Sequence, residues 1–359
     1  MDQFDGFPVV IGWELTLTCD LHCRHCASSA RLARPNELTS REALEVCYQL
    51  PDLLVQEVDF TGGEPLLTYH WESIASRLTH YGIDVQILTN GSSMNPSIAR
   101  RIRDSGIVAV GISLDGLAPS HDRLRACPGL FRRVLQAVEC VLKEGLHLTV
   151  ITTVHSGNLG ELPSLFDLLP KIGIRNWQIQ PIFPLGRSRH GPDLLLSEAN
   201  YIKLGDFILK HQPRAKQAGW DLGPADPCGY FTELDTRNTA WRGCPAGLAT
   251  CGITSDGRIK GCLSMPDQYI EGDLRRKSFW DIWFDPEAFS YRRRFAPDQL
   301  GPSCRLCEKA QICQGGCSAM SIGSTGSFHN DPYCFYGISK RNQSSLSGNR
   351  RALLNVSSS

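Results

Sequence analysis

The sequence lacks three features that would point to common classes of protein. It has no excess of charge, since 37 basic residues balance 37 acidic ones, so nothing favours a nucleic acid or an anionic membrane as partner. No apolar run approaches the ~20 residues that cross a bilayer, and the first residues do not resemble a secretion signal. Neither a G-x-S-x-G nor a G-x-x-x-x-G-K-[ST] motif occurs, which leaves hydrolase and kinase chemistry without support. We therefore expect a cytoplasmic protein with no nucleic acid and no membrane among its partners.

Cysteine, by contrast, is abundant, with 15 residues in a chain of 359. A reducing cytosol keeps thiols free, and a chain of this length can build a core without disulfides, so metal binding is the leading explanation. Three cysteines lie together in "LTCDLHCRHCASS": Cys19, Cys23 and Cys26. Eight more follow near the other end: Cys244, Cys251, Cys262, Cys304, Cys307, Cys313, Cys317 and Cys334. The first group is one thiol short of a closed tetrahedral site, whereas the second contains two sets of four.

Between the two groups, short β-branched apolar runs alternate with amphipathic segments, which predicts parallel strands joined by helices. The predicted strands lie near residues 11–17, 55–60, 84–89, 107–113, 147–154 and 176–181. Six such units are too few for a complete eight-stranded barrel. The predicted fold is therefore α/β, a partial (β/α)6 TIM barrel followed by a small C-terminal cysteine-rich iron–sulfur domain. The predicted boundaries are an N-terminal segment 1–10, the barrel 11–215, a linker 216–243, the cysteine-rich domain 244–339 and a disordered tail 340–359.

Polar groups follow four consecutive predicted strands, at the edge where parallel α/β folds bind ligands. The three-cysteine loop follows the first strand, and "TGGEP" follows the second, with Gly62, Gly63, Glu64 and Pro65. Two glycines allow the backbone to approach a ligand closely. The third and fourth strands end at "TNG" and "SLDG", which supply Asn90, Ser113 and Asp115. Each motif alone is ordinary turn chemistry, but together they predict one binding edge.

With "CDLHCRHC" as a C-x3-C-x2-C motif and "TGGEP" after the next strand, the chain resembles the radical S-adenosylmethionine (SAM) enzymes. The resemblance implies that Cys19, Cys23 and Cys26 ligate a [4Fe-4S] cluster whose fourth iron binds SAM. It also implies reductive cleavage of SAM to a 5'-deoxyadenosyl radical that abstracts a hydrogen atom from a substrate. The positions that match the family's SAM contacts are His25, Gly62, Gly63, Glu64, Pro65, Asn90, Ser113, Asp115 and Arg125. A catalytic zinc is the alternative for the first three cysteines, although no general base is specified by this spacing.

The C-terminal cysteines resemble the SPASM extension, through Gly257 five residues before Cys262 and the C-x2-C-x5-C-x3-C run of "CRLCEKAQICQGGC". The resemblance implies that Cys244, Cys251, Cys262 and Cys317 hold one auxiliary cluster. It implies that Cys304, Cys307, Cys313 and Cys334 hold a second. Structural zinc is the alternative here, because four-cysteine sets suit zinc equally well. The full expectation is three [4Fe-4S] clusters, one of which binds SAM.

The resemblance is nearest to peptide maturases of the pyrroloquinoline-quinone and mycofactocin type, and it implies modification of a ribosomally made peptide by cross-linking, oxidation or epimerisation. Because the first strand is predicted so near the first residue, we expect a leader peptide to be held by a separate small binding protein or by the barrel. An electron donor such as flavodoxin or ferredoxin is also expected. Radical dehydrogenation or epimerisation of an aminoglycoside or haem-type intermediate is one alternative function, and a non-enzymatic electron carrier is another. Cys228 is either a hydrogen-atom donor to a substrate radical or an incidental loop thiol.

Overall fold

A computed structural model describes residues 6–225, 228, 230 and 243–341. Within these residues ten strands form one sheet. In chain order the strands are β1 (Val10–Thr16), β2 (Glu57–Gly62), β3 (Asp84–Thr89), β4 (Ala109–Ser113), β5 (His147–Val154), β6 (Asn176–Pro181), β7 (Asp221–Pro224), β8 (Thr250–Ile253), β9 (Arg258–Lys260) and β10 (Ile270–Asp273). Across the sheet the order is β10-β9-β8-β1-β2-β3-β4-β5-β6-β7. Strands β1 to β7 are parallel, β8 pairs in parallel with β1, and β9 and β10 run antiparallel.

At least one helix connects each consecutive pair among the first seven strands, as parallel pairing requires. The helices are α1 (Ser40–Gln49), α2 (Trp71–His80), α3 (Pro96–Asp104), α4 (Ala118–Arg125), α5 (Leu130–Lys143), α6 (Leu162–Leu168), α7 (Glu198–Gln217), α8 (Phe279–Trp283), α9 (Ser290–Arg293), α10 (Ala310–Cys313) and α11 (Ser318–Thr325). Several begin at side-chain caps, such as Asn95 before α3 and Ser197 before α7. None of the helices in the described part of the chain combines the length and apolar character that a membrane crossing needs.

This architecture confirms the predicted fold class, and all six predicted strands are present within two residues of their expected positions. Four strands were not predicted: β7 and, in the cysteine-rich region, β8, β9 and β10. Strand β7 pairs with β6 inside the segment 216–243 that the sequence indicates is a linker. Its residues, "DLGP", include glycine and proline, which are depleted in strands, and proline is tolerated here because β7 lies at the edge of the sheet.

The predicted domain boundaries fall partly on residues that the structure does not describe. These are residues 1–5 of the N-terminal segment, residues 226–227, 229 and 231–242 of the linker, and residues 342–359 of the tail. The predictions made for those stretches therefore lie outside the described residues. The described part of the C-terminal region is not a separate layer, since β8 to β10 extend the barrel sheet beyond β1.

Strand β1 separates two environments because successive side chains point to opposite faces. On one face Ile11 and Trp13 are buried, and the Trp13 ring meets Phe60 edge-on with 6.4 Å between ring centroids. On the other face Gly12 leaves room for Leu263, whose Cδ1 would lie 3.2 Å from a Cβ at that position. A side chain of the C-terminal region therefore packs directly against the Gly12 face of the first strand.

A second link between the two regions is made by Arg275. Its Nε donates to the Glu42 carboxylate at 2.7 Å, and its Nη1 donates to the carbonyl oxygens of Asn36 and Asp256, both at 3.0 Å. Glu42 also closes a capping box with Thr39 at the start of α1. The hydrogen bond from Arg275, with that from the Thr39 backbone, lowers the pKa of Glu42 to about 2.

We expect Glu42→Gln to destabilise the protein by about 0.5–1 kcal/mol at pH 7, since glutamine keeps the capping box but loses a partly exposed ion pair. A carboxylate with a lowered pKa stabilises the fold above its unfolded pKa. The difference should therefore be complete above pH 4.5, the ordinary value for Glu42, and should vanish as the pH falls towards about 2. Urea unfolding across this pH range measures the effect. The control is Glu45→Gln, which removes an exposed pair with Arg41 on the same helix and should change stability much less.

Candidate functional site

The three-cysteine loop leaves the carboxyl end of β1, as predicted. Cys23 is buried, whereas Cys19 and Cys26 are half-buried. Backbone N–H groups point at two of the sulfur atoms, from Leu21 to Cys19 Sγ at 3.5 Å and from Ala30 to Cys26 Sγ at 3.4 Å. Hydrogen bonds of this kind favour the thiolate form that an iron–sulfur cluster requires.

The glycines of "TGGEP" allow a close approach of two segments of this chain. A Cβ on Gly62 would lie 2.2 Å from the Thr16 oxygen, and one on Gly63 would lie 2.1 Å from the Thr18 oxygen. Because neither glycine has a side chain, the Gly63 N–H can donate to the Thr16 oxygen at 2.7 Å and the Glu64 N–H can donate to the Thr18 oxygen at 2.9 Å. The glycines therefore bring the ends of β1 and β2 together beneath the cysteine loop.

Glu64 is fully buried and already hydrogen-bonded within the chain. Its carboxylate accepts from Thr89 Oγ1 at 2.7 Å and from the Asn90 N–H at 2.8 Å. Burial raises its pKa to about 7 despite these donors. The Glu64 side chain thus fixes the end of β3, and what the "GGEP" stretch can offer a ligand is chiefly its backbone.

Asn90 lies directly beside the cysteine loop. Its Nδ2 donates to Asp20 Oδ1 at 2.9 Å and lies 3.9 Å from Cys19 Sγ. Ser92 donates to the other oxygen of Asp20. Asp20 was not predicted as a site residue, although it stands inside the "CDLHC" motif, because spacing rules identify the cysteines and not the residues between them.

His25, Asp115 and Arg125 form a buried group on the other side of Cys23. Arg125 Nε lies 2.7 Å from Asp115 Oδ2, and His25 Nε2 lies 3.6 Å from the same oxygen. Burial alone would raise the pKa of Asp115, but the charges of Arg125 and of the nearby histidines hold it well below its usual range. Burial lowers the pKa of His25 to about 4. His25 Nδ1 has no hydrogen-bond partner among the described residues, so it is available to a ligand.

Ser113 is also at this edge, as the last residue of β4, and is half-buried. The structure therefore brings together the three cysteines and all the predicted polar groups at the carboxyl ends of β1 to β4. Whether each one contacts a cofactor stays a prediction.

The loop is also held by Arg187, which lies in the segment that follows β6. Arg187 donates from its backbone N–H to the Cys26 oxygen at 3.0 Å, from Nε to the Cys23 oxygen at 2.6 Å and from Nη1 to the Ala30 oxygen at 3.0 Å. The preceding residue, Gly186, has a φ of +56°, and a Cβ there would lie 2.2 Å from the Ala27 oxygen. No motif signals this contact, because it joins residues more than 150 positions apart.

In the C-terminal region, the structure brings together three of the four cysteines predicted for the first auxiliary cluster. The Cys244 and Cys317 thiols are hydrogen-bonded to one another, and Cys262 is close enough for the charge of Cys244 to affect it. Cys262 and Cys317 also pack against the same small apolar cluster around Leu185 and Met265. Burial raises the pKa of the Cys262 thiol.

The fourth, Cys251, lies elsewhere. Cys251 is paired with Ile11 of β1, so its side chain points to the same face as Ile11, into the barrel core. Its neighbour Gly252 faces the other way, where a Cβ would lie 2.7 Å from Leu263, the residue after Cys262. Burial raises the pKa of the Cys251 thiol above the usual range, and the one charged group that acts on this thiol among the described residues is Arg293.

The cysteines predicted for the second auxiliary cluster do lie together. Cys304 and Cys307 pack against Leu300 and Ala310. The charge of Cys313 acts on both Cys304 and Cys334. Cys228 is buried and donates its backbone N–H to the Ala225 oxygen at 2.8 Å.

None of these groups has the geometry of a mononuclear metal site. Within the described ranges, no three His, Cys, Asp or Glu side chains converge closely enough to hold a single metal ion. A tetrahedral zinc requires such convergence, with every thiolate about 2.3 Å from one atom. A four-iron cluster does not, since each thiolate binds a different iron.

Two family models match the chain. Residues 13–169 match the Radical SAM superfamily, and residues 244–308 match SPASM, described as an iron–sulfur cluster-binding domain. These matches confirm the resemblance inferred from the cysteine motifs. The two domains imply [4Fe-4S] clusters and SAM as cofactors.

Curated relatives match over nearly their full length. The AdoMet-dependent heme synthase of Methanosarcina barkeri is 29% identical over 352 residues, covering 93% of this chain and 98% of the relative. The mycofactocin maturase MftC of Mycobacterium ulcerans is 28% identical, covering 94% of this chain and 91% of the relative.

Solved structures show the same fold. Streptococcus suis SuiB bound to its precursor peptide SuiA has a TM-score of 0.72 at 18% identity, covering 92% of this chain and 76% of SuiB. The enzyme anSMEcpe with bound AdoMet has a TM-score of 0.74 at 16% identity, covering 96% of this chain and all of that one, 100%. At these identities the likeness concerns the fold alone.

We expect Cys251→Ser to keep the iron content and the absorption spectrum of the anaerobically reconstituted protein, because its side chain points away from the other three thiols. Cys262→Ser should lose the cluster at Cys244 and Cys317, about four iron atoms per chain. Iron analysis of the two variants beside wild type checks this. Equal iron loss in both variants would restore Cys251 to the ligand set.

We also expect Arg187→Ala to weaken the cluster at the three-cysteine loop, because two buried carbonyl oxygens lose their donor at about 1–3 kcal/mol each. Less iron at this site, with the C-terminal clusters retained, is the expected result by iron analysis and electron paramagnetic resonance (EPR). Arg189→Ala is the matched control, since Arg189 contributes only a 3.5 Å contact to Gly323. Normal occupancy in Arg187→Ala would show that the loop does not need this support.

Proposed function

Because the chain carries a radical SAM domain followed by a SPASM domain, we propose that it is a radical enzyme that removes a hydrogen atom from a ribosomally made peptide. One observation supports the proposed radical chemistry: three cysteines and several buried polar groups lie together at one edge of the sheet. When bound there, a four-iron cluster with SAM supplies an electron for cleavage of the sulfonium and a 5'-deoxyadenosyl radical that takes the hydrogen atom.

The residues of this edge have separate parts in the proposal. Cys19, Cys23 and Cys26 hold three irons and leave the fourth for SAM. Arg125 offers the SAM carboxylate a buried cation whose orientation is fixed by Asp115. The unpartnered nitrogen of His25 faces the adenosine portion. The "GGEP" backbone, held by Glu64, receives the methionyl amino group. Ser113 and Asn90 complete the contacts.

The C-terminal cysteines bind two auxiliary clusters in the same proposal, giving three clusters in all. Auxiliary clusters offer an exit for the electron left behind when a substrate radical is oxidised, so cross-linking or dehydrogenation is favoured over epimerisation. A small electron-transfer protein of the flavodoxin or ferredoxin type would reduce the first cluster. A separate leader-binding protein is the other proposed partner.

The proposed substrate site is a cavity of about 370 Å³ beside the cysteine loop. It is lined on one side by Ala27 and Ser29, which follow Cys26, and on the other by Leu263 and Ser264, which follow Cys262. It therefore joins the radical-generating edge to the first auxiliary site. A larger cavity of about 650 Å³ beside Cys307 includes no residue of the three-cysteine loop and is not our candidate.

The volume of the cavity, about 370 Å³, is near the lower limit of small-molecule pockets. It suits one or two residues of a chain whose remainder lies outside. The relationship to MftC supports the same substrate class. A haem-type intermediate is the second candidate, supported by a heme synthase that matches over 98% of its length.

We expect the reduced, reconstituted enzyme to convert SAM to 5'-deoxyadenosine, and the Cys19→Ala, Cys23→Ala, Cys26→Ala triple variant to produce none. Anaerobic assays by liquid chromatography measure this. Absence of 5'-deoxyadenosine from a wild-type protein with full iron content would contradict the radical chemistry.

The substrate class is tested in D2O with peptides encoded beside the gene and, separately, with carboxylate-bearing tetrapyrroles. Loss of two hydrogens from a peptide indicates a cross-link or desaturation, and gain of one deuterium at a Cα indicates epimerisation. Loss of carbon dioxide from a tetrapyrrole, with every peptide unchanged, would replace the peptide proposal by the haem-type alternative.

A further inference from the structure

Arg292, in α9, is a buried arginine whose guanidinium forms no hydrogen bond within the described part of the chain. The residue is only 2% exposed, yet its Nε, Nη1 and Nη2 all lack a hydrogen-bond partner among the described residues. An uncompensated guanidinium in a protein interior costs several kcal/mol. Such a group persists where an anionic partner offsets that cost.

The groups around Arg292 show where that partner lies. The charges acting on its guanidinium come from Cys244, Cys313 and Cys317, together with Tyr291. A Cβ on Gly243 would lie 2.5 Å from Arg292 Nη2 and 3.0 Å from the Cys313 oxygen. The absence of a side chain at Gly243, whose φ is +99°, therefore lets the guanidinium reach the cysteines.

The guanidinium groups of the next two residues, Arg293 and Arg294, have other partners. Arg293 donates from Nε to the Gly247 oxygen at 2.8 Å, and its guanidinium carbon lies 4.6 Å from the centre of the Trp283 ring. Arg294 forms an exposed pair with Glu287. Arg293 also affects the Cys251 thiol, but of these three arginines only Arg292 is affected by cysteines of both predicted sets.

Cys244 and Cys317 belong to the first predicted auxiliary set, and Cys313 belongs to the second. Because the charges of all three cysteines act on its guanidinium, Arg292 lies near both sets. A four-iron cluster ligated by three or four thiolates carries net negative charge, and hydrogen bonds to its sulfur atoms are among the factors that set its reduction potential. Guanidinium has five donors in a fixed plane, which lets it contact two neighbouring acceptors.

We propose that Arg292 is a positioning residue for the auxiliary clusters, donating N–H···S hydrogen bonds to sulfur atoms of both and raising their reduction potentials. This inference rests on the proposed function, because it requires iron–sulfur clusters at these cysteines. Each cluster takes up one electron without making or breaking a bond. The fixed positive charge of Arg292 stabilises the added negative charge, so electrons pass more readily from a substrate radical to this end of the protein.

The test is an EPR-monitored redox titration of Arg292→Gln, Arg292→Lys and the control Arg294→Gln. Arg292→Gln should make the auxiliary clusters harder to reduce, by at least tenfold in the one-electron equilibrium, or about 59 mV. Arg292→Lys keeps the charge without the planar donors and should fall between Arg292→Gln and wild type. The radical SAM cluster serves as an internal reference, since its potential should not change in any variant. Arg294→Gln removes an equal charge from the surface and should leave all potentials unchanged.

Auxiliary potentials in Arg292→Gln equal to those in Arg294→Gln would overturn the inference. So would an equal shift of all three clusters, which indicates a general effect on the protein. Loss of the auxiliary clusters from both Arg292 variants would assign Arg292 a folding role and would also overturn it. Failure of the proposed function is seen separately, as wild-type protein that contains zinc instead of iron at the C-terminal cysteines.

Discussion

The position of β1 in the sheet is the constraint on which the rest of the structure depends. Parallel pairing with β2 on one edge and β8 on the other places this strand between the barrel and the C-terminal region. Its carboxyl end carries the three-cysteine loop, and its Gly12 face packs against Leu263, the residue after Cys262. One strand thus positions both the edge that carries the three cysteines and the segment that carries Cys262. A cavity that joins the two is a consequence of this pairing.

Charge burial distinguishes the two ends of the molecule. At the radical SAM edge, Arg125 is compensated within the chain by Asp115 at 2.7 Å, so the site is electrostatically complete as folded. At the auxiliary end, Arg292 has no such carboxylate partner in the described part of the chain. Since an unpaired buried charge is expensive, the C-terminal site has more need of an anionic partner than the first site does, and the proposed clusters would supply one. This agrees with the general coupling of metal binding to folding in small cysteine-rich domains.

The sequence was sufficient for the fold class and for the resemblance to the two families, because hydrophobic periodicity and cysteine spacing are local signals. It was insufficient wherever the result depended on distant residues. The reach of Arg187 to the cysteine loop has no local signature. The glycines of "TGGEP" were correctly singled out, but the backbone that approaches them is that of Thr16 and Thr18. Strand β7 was missed because pairing with β6, rather than its own composition, makes it a strand.

The position of Cys251 changes what the number of C-terminal cysteines implies. Eight cysteines suggested two complete sets of four, an inference from counting that takes no account of which face of a strand each one occupies. Pairing with Ile11 directs Cys251 into the barrel core, so Cys244, Cys262 and Cys317 are the members of the first set that lie together. Three thiols leave one position for a ligand from outside this set. A substrate could use such a position directly, and the 370 Å³ cavity adjoins it through Leu263 and Ser264. If the proposed clusters bind here, the first would be better suited to contact with substrate, and the second, with four thiols together, to the transfer of electrons.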